Sequence, residues 1–290
     1  MHEIFFHVPT SVADAVALLQ RHGGRPLSGG SDLIPQMREG RREVAHVVDL
    51  KRIPELVEIS KLADGSWQIG AAATIGQLAR DAVFAAEHGA LLAAAQLIGS
   101  LQIQNRASLG GNICNAAPSA DAVPLLICLD AEAEIAAPDG RRRVPVAAIP
   151  AAPGRTTLEP SAILVSILLP AMRPRASVKY LRFTPRREMD IAIAGSAAGF
   201  ALDADGVISH ARITLASVAP VPLIAESAQK SLIGSRPSMA SFAAAAALAA
   251  SEARPISDSR GTADYRRDLI KVLTRRALEA CASDLGCSLS

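Results

Sequence analysis

Along the first fifty positions the spacing of apolar residues switches between a period of two and a period near 3.6, so strands alternate with helices. Residues 4–8 read as a strand. Thr10 or Ser11 then caps a helix whose apolar residues Val12, Ala15, Val16 and Leu19 share one face, and Gly23 with Gly24 ends it. Residues 26–28 form a second extended piece, which runs into Gly29, Gly30, Ser31 and Asp32. Another strand is expected over 44–50. Together these elements make a small βαβ-like module that closes near residue 54.

The pattern then changes. Residues 56–59 and 67–71 read as paired strands around an Asp64-Gly65 turn. Thr74 and Gln77 have the spacing of a capping box and open a helix to about Glu87. A second helix is expected over 90–99, followed by a polar loop, Ser108, Leu109, Gly110, Gly111 and Asn112, and then by an apolar helix over 123–129. Residues 132–136 and 143–147 form a hairpin around Pro138, Asp139 and Gly140. Further on, 190–202 and 207–218 flank Asp203, Ala204, Asp205 and Gly206, a strong hairpin signal. An alanine-rich helix over 239–253, a loop over 255–261 and a final amphipathic helix follow. Tyr265, Leu269, Val272, Leu273 and Leu278 mark the apolar face of that last helix. The expected division is 1–54 and 55–172 as two α+β subdomains and 173–290 as a domain of antiparallel sheet and helices.

Composition narrows the function. Half of the 290 residues are hydrophobic but only 3% are aromatic, so aliphatic side chains fill the core and no aromatic platform for stacked bases is available. A net charge of +2 does not call for a polyanionic partner, and Arg141 to Arg143 read as a solvated edge or anion contacts. The four cysteines contain no CxxC pair, which argues against a disulfide scaffold and against an iron–sulfur cluster in this chain. The amino-terminal residues lack a signal-peptide layout, and no apolar run reaches the ~20 residues that span a bilayer. A cytoplasmic protein without a membrane span is expected.

The usual catalytic constellations are missing: there is no Walker loop, no GxGxxG, no HExxH and no GxSxG. Two polar segments with paired glycines remain. Gly29 and Gly30 can turn backbone N–H groups into a concavity that holds phosphate oxygens, and Ser31 adds a hydroxyl. Asp32 sits too close to a phosphate to bind one, so it orients N–H groups or caps the next segment. A tight turn before a helix would use the same residues, and this loop alone leaves both readings open. The second segment repeats the theme with Ser108, Gly110, Gly111 and Asn112. Two such nests could clamp a pyrophosphate from both sides. Cys114 beside the second reads as a small buried thiol.

These segments, Ser28 to Pro35 and Ser108 to Asn112, resemble the FAD-binding motifs of the xanthine dehydrogenase and carbon monoxide dehydrogenase family, in particular its medium, FAD-binding subunit. Further similarity lies in Ala71 to Ile75, Pro118 to Asp121, Arg187 to Ala192, Pro255 to Gly261 and Tyr265 to Arg267, so that nearly the whole chain is covered in order. The resemblance implies a vanillyl-alcohol-oxidase-like (PCMH-type) FAD domain of two α+β subdomains plus a carboxy-terminal domain of antiparallel sheet and helices. It assigns Ser28, Gly29, Gly30, Ser31, Asp32 and Leu33 to one side of the FAD pyrophosphate. Ser108, Gly110, Gly111 and Asn112 take the other, with Cys114 nearby. It places Asp121 toward the adenosine, and Leu164 and Arg182 beside the flavin ring.

The implied role is electron transfer, with no catalytic acid, base or nucleophile in this chain. Partners implied are a large subunit carrying molybdopterin and a small one carrying [2Fe–2S] clusters, in an α2β2γ2 assembly. The four-cysteine insert of the 4-hydroxybenzoyl-CoA reductase version is absent from the sequence. Alternatives are a self-contained flavoenzyme and a scaffold without cofactor; the two intact glycine segments speak against the latter. Trp67 and Tyr180 read as packing residues, Arg187 with Asp190 as a strand-end ion pair, and Asp258 with Arg260 as a fixing point for the loop before the last helix or a partner contact.

Overall fold

A computed structural model describes residues 3–186 and 189–289. The chain forms two compact units. The first is built from the chain up to His88, with Ile98–Ala116 and Asp130–Ala171; the second takes Gly89–Leu97, Ala117–Leu129 and the chain from Met172 onward. The expected Arg187–Asp190 pair lies outside the described residues, and Arg186 is the arginine that approaches Asp190, at 3.5 Å.

The first unit carries two sheets. His46–Asp49 is the centre of a three-stranded parallel sheet, between Phe5–His7 and Arg25–Leu27. Ser11 caps the crossover helix Val12–His22 by accepting the Asp14 N–H, and Gly23 at φ +70° ends it. Its buried residues are Val12, Ala15, Val16 and Leu19, the face the spacing predicts. In the second sheet, five antiparallel strands run in the order Ile59–Lys61, Trp67–Gly70, Ile163–Leu169, Glu132–Ala137, Gly140–Pro145. Trp67 is a packing residue, edge-on to Phe84 and donating its indole N–H to Glu87. The Thr74–Gln77 capping box forms as expected, but its helix stops at Arg80 and Asp81 caps a second one, Ala82–Glu87. Leu56 was expected in a strand. Instead Pro54 starts a helical turn, Pro54–Val57, because its fixed φ suits a first helical position, and the strand begins at Ile59.

The second unit is a four-stranded antiparallel sheet, Ala176–Phe183, Ala194–Leu202, Ile208–Ala216 and Leu223–Ile224, with helices packed on it. All nine residues of Ala194–Leu202 are buried, so both faces of this strand are covered. Its alanines, glycines and serine leave room for helices to approach closely. The hairpin at Asp203 forms as expected, with the Asp203 carboxylate accepting the N–H groups of Asp205 and Val207. The last helix, Ala263–Asp284, is rotated from its expected face. Tyr265 and Val272 are exposed, whereas Arg266, Ile270, Leu273, Thr274, Ala277, Leu278 and Cys281 are buried. Polar partners explain the difference: Arg266 donates to the carbonyls of Ile193 and Ser217 and pairs with Asp258, and Thr274 meets Ser196 at 2.8 Å. Asp258 also accepts the Arg260 N–H, which fixes the loop before this helix.

Candidate functional site

Two glycine-bearing segments meet in the first unit. After Arg25–Leu27 the chain turns through Ser28, Gly29, Gly30, Ser31 and Asp32 into the helix Leu33–Arg38. Gly30 has φ +75°, which a glycine adopts without steric cost. Gly29 is required for a different reason. A Cβ there would lie 2.2 Å from the Arg106 carbonyl oxygen, so the loop backbone rests directly on the chain leading to Ser108. The Ser28 and Ser108 hydroxyls close the contact at 2.8 Å.

The second segment is not a loop of left-handed glycines, as its composition suggests. It is the first turn of the helix Leu109–Asn115, with Ser108 as N-cap accepting the Gly111 N–H at 3.0 Å. The donors here are therefore the N–H groups of a helix start, which have no intrahelical acceptor. Gly110 allows close packing, since its Cβ would sit 2.4 Å from the Ala71 carbonyl oxygen. Gly111 faces space: within contact range its Cβ would meet only Ser108 Oγ, at 3.2 Å.

Between these segments lies a cleft of about 520 Å³. Ser28, Gly29, Gly30, Ser31, Asp32, Leu33, Ser108, Gly110, Gly111, Asn112, Cys114 and Leu164 all line it, so the structure gathers residues spread over more than 130 positions of sequence. Among the described residues, the N–H groups of Gly29, Gly30 and Ser31 have no backbone acceptor. The Oδ1 end of the Asn112 carboxamide is buried without a hydrogen-bond partner. Unpaired donors converging from a turn and a helix start form a cradle for an anion such as a diphosphate, without a lysine head group in the lining. Leu164, from the strand Ile163–Leu169, adds apolar wall with Ile98, Ala71 and Leu50.

Asp32 stands at the N-cap of its helix but makes no side-chain cap bond, which corrects the expected capping role. Burial raises its carboxyl above the usual carboxylate range, against the downward pull of a bond to Asn115 and the charge of Arg41. Cys114 is not a core thiol: its side chain is exposed to the cleft. The surrounding walls still desolvate it and push the thiol up to about 12.

Asp121 and Arg182 belong to the second unit, where they bind each other. The carboxylate is 2.5 Å from the guanidinium and accepts the Tyr180 hydroxyl at 2.9 Å. Burial pushes the Asp121 carboxyl up to about 6 although Arg182 and Tyr180 both favour its charged form. The Tyr180 hydroxyl is raised well above its ordinary value, by burial first and then by Asp121.

Several lining residues carried no distinct signal in the sequence. Arg25, Gln36, Arg42, Asn115 and Arg155 border the cleft as ordinary polar positions between recognisable segments. Lys51 is outside the lining but reaches the first loop, donating to the Ser28 carbonyl at 2.9 Å while paired with Asp49. Of the basic run, Arg141 pairs with Glu55 and Arg142 with Glu159, which makes it a surface ion-pair edge.

Comparison with known proteins agrees over nearly the whole chain. The family described as "FAD binding domain in molybdopterin dehydrogenase" matches residues 2–172, and "CO dehydrogenase flavoprotein C-terminal domain" matches residues 179–281. The putative xanthine dehydrogenase FAD-binding subunit of Escherichia coli K12 is 32% identical over 97% of both chains. The carbon monoxide dehydrogenase medium chain of Afipia carboxidovorans is 35% identical over 94% of this chain and 95% of its own. A solved carbon monoxide dehydrogenase from Hydrogenophaga pseudoflava superimposes with a TM-score of 0.93 at 33% identity, covering 99% of both chains.

Proposed function

We infer the function from one premise: this chain belongs to the family of FAD-binding medium subunits of xanthine and carbon monoxide dehydrogenases. It is an oxidoreductase subunit whose cofactor is FAD; molybdenum and iron–sulfur groups belong to other subunits of such enzymes. The residues on the cleft fit the cofactor. Unpaired N–H donors, an orphaned carboxamide oxygen and the open space over Gly111 are what a bound dinucleotide would complete.

In the proposed arrangement the FAD diphosphate is held between the turn at Ser28 to Leu33 and the helix start at Ser108 to Asn112. Gly29, Gly30 and Ser31 donate from one side. Gly110 donates from the other through a first-turn N–H that has no intrahelical acceptor. Asn112 accepts from or donates to the cofactor with its buried carboxamide. Leu164 supplies apolar wall that excludes water. FAD, once bound, exchanges electrons singly or in pairs, which suits a link between one-electron clusters and a two-electron acceptor. The chain contributes binding, orientation and electrostatics. Use of Asp121 and Arg182 by the cofactor rests on the family resemblance alone. The proposal extends to the setting: a cytoplasmic complex in which a [2Fe–2S] subunit exchanges electrons with the flavin and a molybdopterin subunit acts on the organic substrate. It extends also to the division into subdomains at residues 1–54 and 55–172, with 173–290 as the carboxy-terminal domain.

The observation that carries this reading is the convergence of the two glycine segments on one cleft. Its test is an absorption spectrum of the purified chain after FAD is supplied and the excess removed. Flavin bands amounting to about one FAD per chain are expected. A folded chain that takes up no flavin, alone or with its partner subunits present, overturns the reading.

A further inference from the structure

The edge of the parallel sheet carries one feature that the cofactor motifs do not explain. Where the strands Arg25–Leu27 and His46–Asp49 end, the pairing continues for one more bond, from the Leu50 N–H to the Leu27 carbonyl at 2.9 Å. The following carbonyl, that of Ser28, lies past the strand, and no backbone N–H of the described residues reaches it. Lys51 supplies the donor with its side chain, its ammonium 2.9 Å from the oxygen. Asp49 holds the ammonium from the other side and also accepts the Lys51 N–H at 3.1 Å. Both side chains are largely withdrawn from solvent, at 22% and 10% exposure, so the pair is a fixed clamp and not a loose surface contact.

We propose that Lys51, held by Asp49, is a positioning residue for the cofactor: it pins the Ser28 carbonyl and thereby aims the first glycine turn at the diphosphate. A peptide unit is planar, with C=O and N–H on opposite sides. Fixing the Ser28 oxygen toward Lys51 therefore fixes the direction of the Gly29 N–H, one of the donors left unpaired at the cleft. Gly29 and Gly30 lack side chains to resist a peptide flip, so the turn needs an outside anchor. The Ser28–Ser108 hydroxyl contact anchors the side chain of this residue; Lys51 anchors its backbone. Asp49 also cancels the lysine charge, so the clamp works by geometry and adds no net positive field at the cleft.

The inference rests on the proposed FAD cradle, and its test separates the two. FAD is titrated into flavin-free wild type, Lys51→Met and Lys51→Arg, with thermal melts of each flavin-free chain and phosphorus NMR of the bound diphosphate at saturating FAD. Wild type that binds no FAD refutes the cradle itself. With wild type binding, Lys51→Met should weaken FAD by about tenfold or more, as loss of a charged hydrogen-bond donor does, and shift the diphosphate resonances. Lys51→Arg, which keeps a donor, should recover most of the affinity and the wild-type resonances. A double variant, Asp49→Asn with Lys51→Met, removes the charge left behind and should remain weak. If Lys51→Met does not fold, Lys51→Gln replaces it with the same expectation. Folded variants without the donor that match wild type in affinity and resonances overturn the clamp, and so does recovery by the neutral double variant.

Discussion

At the scale of single residues, the glycines of the cleft do different work, and substitution separates them. A side chain at Gly29 would collide with the Arg106 carbonyl, backbone against backbone, with nothing flexible to give way. Gly29→Ala should therefore lower the melting temperature of the flavin-free chain as well as FAD uptake. Gly111 has only the Ser108 hydroxyl near its missing Cβ. Gly111→Val should leave the melt within a few degrees of wild type yet abolish flavin bands, because the added atoms fill ligand space; retention of stoichiometric FAD would refute this placement. Cys114 yields a second prediction. A thiol pushed up to about 12 is almost wholly protonated at neutral pH, so iodoacetamide should alkylate it far more slowly than free cysteine despite its exposure to the cleft. Mass spectrometry of the alkylated chain reads the rate, and labelling as fast as the free amino acid contradicts it. The need for glycine at 29 and 111 was visible in the sequence, but the reason was not, because a close approach across 77 positions between Gly29 and Arg106 leaves no local trace.

Among elements, the strand Ala176–Phe183 carries one half of a buried ion pair. Arg182, 7% exposed, has the Asp121 carboxylate as its ion-pair partner. Asp121→Ala would leave a buried guanidinium without its counter-charge and should cost about 3–5 kcal/mol, measured by denaturant unfolding; Asp121→Asn keeps an acceptor and should cost less. The same carboxyl gives a pH signature. Its pKa is raised in the folded chain, to about 6, above the unfolded carboxylate value. Folding therefore favours the protonated form: the contribution is complete below the unfolded value and is lost as pH rises through about 6. Wild type should lose stability relative to Asp121→Asn over that interval, and parallel melting curves for the two would contradict the raised value. The elements themselves were largely legible where local rules decide them: the Ser11 cap, the Thr74–Gln77 box and the Asp203 hairpin all formed. Two failures involve polar residues. Ser108 turned an apparent glycine loop into a helix by a local cap on the Gly111 N–H, and Arg266 with Thr274 turned the last helix by binding inward to partners distant in sequence. Hydrophobic periodicity registers neither kind of bond.

For the whole molecule, the two glycine segments and Leu164 line one cavity, as their resemblance implies, whereas the unit that each short helix joins left no signal in the sequence. The first unit recruits 98–116 and 130–171, and the stretches 89–97 and 117–129 go to the second. Apolar helices such as Val123–Cys128 look alike to sequence whichever core they enter. The match to known medium subunits runs over nearly the full length of both chains, and both matched regions are flavoprotein domains. Neither region is a molybdopterin or iron–sulfur module, and the free cysteines are spread apart, two of them buried in the second unit. Substrate chemistry at molybdenum then requires other chains. Isolated from its native host under gentle conditions, this chain should accompany a large and a small partner in equal amounts, with a mass by native mass spectrometry that fits α2β2γ2. Reduction by the substrate of that complex should bleach the flavin bands, whereas the isolated flavin-loaded chain with the same substrate should stay oxidised. Bleaching of the isolated chain would make it a self-contained flavoenzyme, since electrons would then reach the flavin with no partner cofactor to carry them.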